Sequence, residues 1–278
     1  MTIFTPLRYP GGKAKLTYYL KELVSENFDE QVNYVEPFMG GAGLAFNLLF
    51  SDTVNNIYLN DNDRAIWAFW FSVLNQSEEL IDRIREIEVT IATWRIQKTI
   101  YQNKENADVL DLGFATLFLN RTNRSGIIKA NPIGGLAQDG DYKIDCRFNR
   151  ETLINQISRI NQMRGRVHLS CEDAKVFIER IDREVQNAFF YLDPPYVKKG
   201  YQLYNNSFNE SDHVLLRDAI THLKNPWFVT YDDCSLVENL YVGFEQKKFD
   251  LTYSVETKRV GTEIAIYSNA LTVIPKFK

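Results

Sequence analysis

The chain has 278 residues, of which 45% are apolar and 24% are charged, and its formal net charge at pH 7 is −4. This composition excludes a wholly disordered chain and a collagen-like repeat, and the length suffices for a sizeable core in one large domain or two unequal ones. The longest apolar run, Ala65–Phe71, is far too short to cross a bilayer, and no apolar stretch follows a basic one near the first residues, so neither a membrane span nor a secretory signal is expected.

The first third of the chain predicts alternating helices and strands. Leucines at helical spacing predict a helix over residues 14–26, and Tyr34–Phe38 reads as a short apolar strand that leads into a glycine-rich turn. The apolar helix Leu44–Phe50 follows, and the next strand, Ile57–Leu59, ends on amide and acidic residues. A strand, a glycine turn, a helix and a second strand ending on an acid together indicate a βαβ unit.

The middle of the chain has a different pattern. Residues 64–119 show helical spacing without a strand signal, whereas residues 120–150 are rich in Asn, Gly, Ser and Pro and predict a long loop of the kind that is usually functional or disordered. Residues 117–166 contain nine basic and four acidic residues, so this segment carries +5 and the rest of the chain −9. A basic segment on an acidic body indicates a surface that faces a partner.

The alternation of helices and strands resumes after Arg166. Helices are predicted over Ala174–Ile181 and residues 210–223, and strands over Val167–Ser170, Phe189–Leu192, Trp227–Tyr231 and Glu263–Tyr267. The pattern predicts an α/β fold in which one sheet is interrupted by a second module. We assign residues 1–75 and 166–278 to the sheet domain and residues 76–165 to the insert.

The cysteines and histidines do not predict a metal site. Cys146, Cys171 and Cys234 match no zinc-binding spacing, their odd number argues against a disulfide framework, and none of the three histidines is adjacent to a cysteine. We therefore expect no metal and a reducing, cytoplasmic location.

The glycine turn Met39–Gly43 indicates a nucleotide-type ligand, because ligands of open α/β sheets bind beyond the carboxyl ends of strands, where glycines allow close backbone approach. Asp61 ends the next strand, where an acid can accept hydrogen bonds from ribose hydroxyls. The dinucleotide fingerprint needs a glycine where this chain has Phe46, and no P-loop lysine follows, so the pattern favours an adenosine-containing ligand without pyrophosphate. A merely structural turn with an exposed carboxylate is the alternative.

The segment Asp193-Pro194-Pro195-Tyr196 follows a predicted buried strand and offers only acceptors beside an aromatic ring. Because two prolines donate no backbone hydrogen bonds and stiffen the turn, this arrangement suits a planar amino group on a ring that stacks on Tyr196. A polyproline turn that only closes a strand is the alternative. Near the N-terminus, Lys13 either pairs with a ligand carboxylate or is a solvated residue of a capping turn.

Four motifs occur in a characteristic order: Arg8–Lys13, Glu36–Gly41, Asn60–Asn62 and Asp193–Tyr196. Together they resemble the Dam-like site-specific DNA adenine-N6 methyltransferases over the whole chain, and Phe118–Thr122 followed by Ser125–Ile127 is similar to the start of that family's recognition region. The resemblance implies a Rossmann-like S-adenosylmethionine-dependent methyltransferase sheet with an inserted helical and loop target-recognition domain. It also implies transfer of a methyl group to the N6 amino group of a flipped-out adenine in double-stranded DNA.

The resemblance assigns roles to individual residues. It implies that the catalytic residues are Asp193, Pro194 and Tyr196. It implies that the cofactor contacts are Tyr9, Lys13, Phe38, Gly40, Asp61, Asp173 and Asp193. In the loop, DNA contacts to base edges or to phosphates are predicted at Arg121, Asn123, Arg124 and Lys129.

Three alternatives remain open. The first is methylation of another planar amine, such as an RNA adenine, cytosine N4 or a glutamine amide, although related enzymes for the last two more often have Ser or Asn in place of Asp193. An NAD-dependent oxidoreductase keeps the βαβ unit but leaves the Asp-Pro-Pro-Tyr segment unexplained. A non-catalytic DNA-binding protein is disfavoured by Lys13, Asp61 and Asp193. We further expect a bacterial or phage-encoded monomer, with a restriction enzyme as a candidate companion.

Overall fold

The computed structural model describes residues 5–8, 13–197, 208–254 and 258–277. The chain divides into two compact units. We name Met1–Pro10 with Asp63–Gly165 the helical unit, and Gly11–Asn62 with Arg166–Lys278 the sheet unit.

The sheet unit is built on one sheet of seven described strands in the spatial order β3-β2-β1-β4-β5-β7-β6. The strands are β1 (Val32–Glu36), β2 (Val54–Asn60), β3 (Val167–Ser170), β4 (Ala188–Leu192), β5 (Trp227–Asp232), β6 (Glu245–Ser254) and β7 (Lys258–Tyr267). The first five in spatial order are parallel, and β7 runs antiparallel to both β5 and β6. The predicted α/β sheet is thereby confirmed.

The described α-helices follow the chain in a simple order. They are α1 (Thr17–Asn27), α2 (Gly43–Phe50), α3 (Arg64–Asn75), α4 (Ser77–Glu86), α5 (Ile91–Gln102), α6 (Val109–Thr122), α7 (Arg150–Gln162), α8 (Ala174–Glu184), α9 (Glu210–Thr221) and α10 (Ser235–Leu240). In the part of the chain that the structure describes, no helix has both the length and the apolar character that a bilayer span requires.

Strand β4 consists of apolar residues throughout. All five residues of β4 are buried, as expected for a strand of a parallel sheet that is covered on both faces. Helix α2 follows the glycine turn and buries Leu44 through Leu49 without interruption. This packing places the carboxyl ends of β1, β2, β3 and β4 at one edge of the sheet, since the four strands are parallel.

The helical unit comprises Met1–Pro10 and Asp63–Gly165, whereas the sequence places residues 1–75 in the sheet domain and begins the insert at residue 76. Helix α3 accounts for the difference because it packs against α6 and α7. Arg64 donates hydrogen bonds to the carbonyls of Lys104 and Ala107, and the Lys104 ammonium lies 2.8 Å from Asp63 Oδ1. The periodicity of α3 shows an apolar face but does not show which unit that face packs against.

The predicted loop lies between α6 and α7 and is shorter at its start than predicted, because α6 continues to Thr122. Gln138 braces it, since its side chain accepts from the Ile144 N–H at 2.8 Å and donates to the carbonyls of Ile133 and Gly135. The loop is therefore fixed by its own hydrogen bonds.

Candidate active site

The Asp-Pro-Pro-Tyr segment leaves the buried end of β4 and is pinned at its far end. Asp193 directly follows Leu192, the last residue of β4. The Val197 N–H donates to Asp232 Oδ1 at 2.8 Å, which ties the segment to the end of the neighbouring β5. The two prolines between these points restrict the backbone further. The segment is thus held rigidly at the carboxyl edge of the sheet.

Lys13 contacts three polar side chains of this site. It begins the short 3-10 turn that precedes α1, and its side chain is only 2% exposed. Its Nζ lies 2.7 Å from Asp193 Oδ1, 3.0 Å from the Tyr196 hydroxyl and 3.2 Å from Glu263 Oε1. An ammonium has three donors, so all three have protein acceptors. The structure thus pairs Lys13 with protein groups, and its predicted contact with a cofactor stays a prediction.

Tyr196 is held by its hydroxyl group. The ring is buried, its hydroxyl donates to Glu263 Oε1 at 2.9 Å, and it accepts from Lys13. The Lys13 ammonium also lies 5.0 Å from the ring centroid. The orientation of the ring is consequently set by two charged side chains.

The acids at this edge shift one another's protonation. Burial raises the pKa of Asp193 to about 6, although Lys13 lowers it, and the charge of Glu263 raises it further. Burial and then the charge of Asp193 raise the pKa of Glu36, at the end of β1, well above its ordinary value. Burial is the main cause of both shifts, and the charges of the neighbouring carboxylates add to it.

Sequence reasoning missed Glu263 and gave no role to Glu36. Glu263 opens the apolar run Ile264–Tyr267, and an acid within a buried strand was the available signal. Glu36 was visible only as part of the motif Glu36-Pro37-Phe38. Both residues lie at the site because the sheet places β1, β4, β5 and β7 next to one another.

The glycine turn is fixed by Asp61. The Gly40 N–H donates to Asp61 Oδ2 at 3.0 Å, and Gly40 has a positive φ of 42°, which a glycine adopts without strain. Asn60, completely buried, donates to the carbonyls of Pro37 and Glu172 at 3.1 Å and so links the ends of β1, β2 and β3. The turn that was predicted to bind the cofactor is thus a preformed part of the edge.

The other predicted cofactor residues lie in different settings. Phe38 is half-buried, with its ring edge-on to Phe208 at 5.7 Å. Asp173 follows β3, is exposed and caps α8, because its Oδ1 accepts from the Lys175 N–H at 2.9 Å. Tyr9 lies outside the described residues. The roles of all three toward a cofactor stay predictions.

Comparison with known proteins decides the family. The profile of the D12 class N6 adenine-specific DNA methyltransferases matches residues 9–255. The chain belongs to this family. The methyltransferase is also similar to the Type II methyltransferase M.MjaIII of Methanocaldococcus jannaschii, with 24% identity over 87% of this chain and 89% of that protein. Among solved structures it is similar to the rRNA methyltransferase AviRa of Streptomyces viridochromogenes, with 12% identity, a TM-score of 0.45 and coverage of 95% of this chain and 87% of that one.

The edge of the methyltransferase sheet fits S-adenosylmethionine, whose use the family implies. Burial raises the pKa of Glu36, and the carboxylates of Asp193 and Asp61 raise it further, so a ligand with a positive charge is favoured beside these acids. The sulfonium of S-adenosylmethionine carries such a charge. The negative groups of a pyrophosphate would be repelled, which argues against the dinucleotide alternative. Among the described residues, no group of three or more acids, histidines or cysteines is arranged to hold a metal.

Asn123 of the methyltransferase does not have the exposed position predicted for a DNA contact. Its side chain is completely buried and donates to the carbonyls of Ile127 and Ile128 at 3.3 and 2.7 Å. Its Oδ1 accepts from Trp94 Nε1 at 2.6 Å. The predicted DNA contact of Asn123 is therefore corrected, because the hydrogen bonds of its side-chain amide all go to groups within the protein and stabilise the loop. Arg124 and Lys129 are exposed as a DNA contact requires.

Arg121 belongs to a cluster of three arginines in the helical unit. Burial lowers the pKa of Arg121 to about 10, and the charges of Arg8 and Arg147 lower it further. Arg8 is clamped, because its backbone N–H donates to Asn120 Oδ1 at 2.7 Å and its carbonyl accepts from Asn120 Nδ2 at 2.8 Å. Arg8 Nη1 and Arg121 Nε are buried and have no hydrogen-bond partner among the described residues. The cluster carries concentrated positive charge.

Proposed function

We propose that Asp193, Pro194 and Tyr196 bind the target adenine of double-stranded DNA and activate its N6 amino group, with S-adenosylmethionine as the methyl donor. The orientation of Asp193 carries this proposal. Lys13 and Thr230 donate to its Oδ1 at 2.7 and 3.4 Å, and no described residue donates to its Oδ2. Its side chain is 21% exposed. One oxygen is therefore anchored, and the other is available for a substrate.

The activation follows from hydrogen bonding. The amino nitrogen of adenine is a weak nucleophile because its lone pair is delocalised into the ring. Asp193 Oδ2 accepts one amino hydrogen and the Pro194 carbonyl accepts the other, which draws the lone pair back onto the nitrogen. Positioning and electrostatics thus contribute most of the catalysis, without a covalent enzyme intermediate. After methylation, Asp193 Oδ2 takes the proton that the nitrogen releases.

Tyr196 offsets the cost of base flipping. An adenine inside a duplex is out of reach, and its extrusion costs about a few kcal/mol. Stacking of a base on an aromatic ring returns about 1–3 kcal/mol. The hydrogen bond from Lys13 to the Tyr196 hydroxyl, at 3.0 Å, fixes the ring on which the base stacks.

The cofactor is assigned to the glycine turn. When bound, S-adenosylmethionine supplies a methyl group on a positively charged sulfur. The residues that would hold it are Phe38, which would pack against its adenosine and methionine parts, Gly40, which would allow close approach of the backbone, and Asp61, which would accept from the ribose hydroxyls. Asp173 would contact the adenine ring of the cofactor, and Tyr9 would complete the set. The acidic character of this edge supports the assignment.

Acid inhibition of the reaction is expected. Only ionised Asp193 accepts both the hydrogen bond and the proton, and burial raises its pKa to about 6. The methyl-transfer rate should therefore fall as the pH drops through about 6, well above the value near 4 for an ordinary aspartate. Single-turnover rates measured with saturating cofactor and DNA between about pH 5 and about pH 8 test this prediction. A rate that stays constant down to about pH 5 contradicts it.

The helical unit is assigned to DNA recognition, in place of the sequence boundaries 76–165. The arginine cluster supports this, because three neighbouring cations are favoured only beside an anion such as a phosphate. Replacing Arg121 with glutamine should weaken DNA binding uniformly across sequences and reduce the salt slope of the affinity by about 0.9. Arg95→Gln, an exposed position of α5, is the charge-matched control. A weakening confined to one DNA sequence would make Arg121 a base contact instead.

The decisive experiment is single-molecule sequencing of DNA from methylation-deficient cells that express the chain. N6-methyladenine in one short repeated context is the expected result, and it also identifies the target site. Absence of modified adenine, with protein that binds S-adenosylmethionine, would contradict DNA as substrate and favour RNA or another amine. Absence of both modification and cofactor binding would favour the non-catalytic DNA-binding protein.

The Type II name of the archaeal relative supports a role in restriction and modification. A partner endonuclease would then cut the site that this chain protects. DNA from the expressing cells should resist the endonucleases that recognise the sequenced site and are blocked by adenine methylation. A monomer is the expected form, and sedimentation of the purified chain tests it.

A further inference from the structure

Glu263 is a buried acid whose position is unusual. It lies on β7 with a side chain 1% exposed, in register with Asp232 of β5 and Phe249 of β6. The next four residues of the strand, Ile264–Tyr267, are all buried. Burial of a carboxylate in such surroundings is unfavourable unless it is paired, and an apolar residue of similar size is often no less stable. Stability alone therefore does not account for a glutamate here.

The partners of Glu263 belong to the catalytic site. Its Oε1 accepts from the Tyr196 hydroxyl at 2.9 Å and lies 3.2 Å from Lys13 Nζ. Lys13 in turn donates to Asp193 Oδ1. One oxygen of Glu263 thus orients two side chains of the site. These are Tyr196, on which the target base stacks, and Lys13, which holds Asp193.

We propose that Glu263 is a positioning residue for methyl transfer, which acts through Lys13 and Tyr196 to orient Asp193. The proposal rests on the function proposed above. By sharing the Lys13 ammonium with Asp193, Glu263 keeps that ammonium on Oδ1 and leaves Oδ2 for the adenine amino group. By accepting from the Tyr196 hydroxyl, it sets the plane on which the base stacks.

The electrostatic surroundings of Asp193 provide a readout specific to this role. The charged and titratable groups that act on Asp193 are Lys13 before α1, Tyr34 and Glu36 on β1, Tyr191 on β4 and Glu263 on β7. The charge of Glu263 raises the pKa of Asp193, and Lys13 lowers it. Removing the charge of Glu263 should therefore lower the pKa of Asp193. The fall of the methyl-transfer rate at acid pH, which we call the acid limb, should then occur at a lower pH. A residue that only supports the fold has no such effect.

The test uses the full chain with Glu263→Gln, Tyr196→Phe and the double variant, on duplex DNA that contains the sequenced target site. Glu263→Gln should lower the single-turnover rate about 10- to 100-fold, the effect of one hydrogen bond to a charged group. Its acid limb should shift below that of the wild type, with unchanged affinity for S-adenosylhomocysteine. The double variant should be no slower than the slower single variant, because the two residues act as one unit.

Asp250→Asn is the matched control. Asp250 lies on β6, and its exposed carboxylate accepts a hydrogen bond from Thr262, the residue before Glu263 on β7. The Asp250→Asn variant should keep the wild-type rate and acid limb. A wild-type rate in Glu263→Gln, or a slowed rate with an unmoved acid limb, would overturn the positioning role. If Glu263→Gln does not fold, full activity in Tyr196→Phe would overturn it. A wild-type chain that transfers no methyl group to DNA contradicts instead the proposed function.

Discussion

Asp193→Ala is expected to abolish methyl transfer, with a loss above about 10³-fold, while the chain still folds. Loss of one pre-positioned hydrogen-bonding group typically costs about 10²- to 10³-fold, and Asp193 also takes the proton. The fold should persist, because Lys13 keeps Glu263 and Tyr196 as partners when Asp193 is removed. No buried charge is left without compensation.

The measurement is transfer of a labelled methyl group to duplex DNA, with cofactor affinity and thermal unfolding recorded for the same preparations. Asp193→Asn provides an isosteric comparison and should lose about 10²- to 10³-fold, because one acceptor is retained but no proton can be taken. Asp233→Asn, which removes a surface carboxylate paired with Lys248, is the control and should be fully active. Activity of Asp193→Ala near that of the control would contradict the mechanism.

Lys13→Met is expected to lower both activity and stability. The Lys13 side chain is 2% exposed and its ammonium lies between Asp193 and Glu263, so its removal leaves the buried carboxylate of Glu263 and the partly exposed one of Asp193 without a cation. Breaking a buried ion pair in this way costs about 3–5 kcal/mol. The rate should also fall, because Asp193 loses the bond that holds its Oδ1 and its pKa rises once the lowering effect of Lys13 is gone.

The pH dependence of stability separates this effect from a general packing defect. In Lys13→Met, the folded pKa of Asp193 lies above its value of about 4 in the unfolded chain. The folded state then binds the extra proton, so the contribution of Asp193 to stability is most favourable below about pH 4 and falls as the pH rises through the folded pKa. Denaturant unfolding at about pH 5 and about pH 8 should show the larger loss, relative to wild type, at about pH 8.

Lys175→Met is the control for this comparison. Lys175 forms only a surface pair with Glu179 at 3.9 Å, with a side chain 51% exposed. Its replacement should cost no more than about 1 kcal/mol, as is usual for surface pairs. An equally small loss in Lys13→Met, or a loss independent of pH, would show that Lys13 is not the cation on which the buried acids depend.

The motifs were readable in the sequence because each depends on chemistry within a few residues. The glycine turn, the acid at Asp61 and the Asp-Pro-Pro-Tyr segment were placed correctly at strand ends, and their combination indicated the family. The sequence did not show that Asn123 faces inward, since its burial depends on Trp94 of α5 and on the loop carbonyls. It also did not show that α3 packs against α6. An apolar pattern shows that a helix face is buried, but it does not show which element covers that face.

Local patterns therefore determined six of the seven described strands, the order of the motifs and the family to which this chain belongs, but they did not predict β6 (Glu245–Ser254). Tertiary structure alone decided what the charged side chains contact. Lys13, Asp193 and Glu263 are far apart in the sequence, and they meet because β4 and β5 are parallel neighbours and β7 runs antiparallel beside β5. Lys13, which precedes α1, lies beside these strand ends and is paired there with Asp193 and Glu263. The physical reason is that a buried charge takes its role from the partners that folding brings within hydrogen-bonding distance.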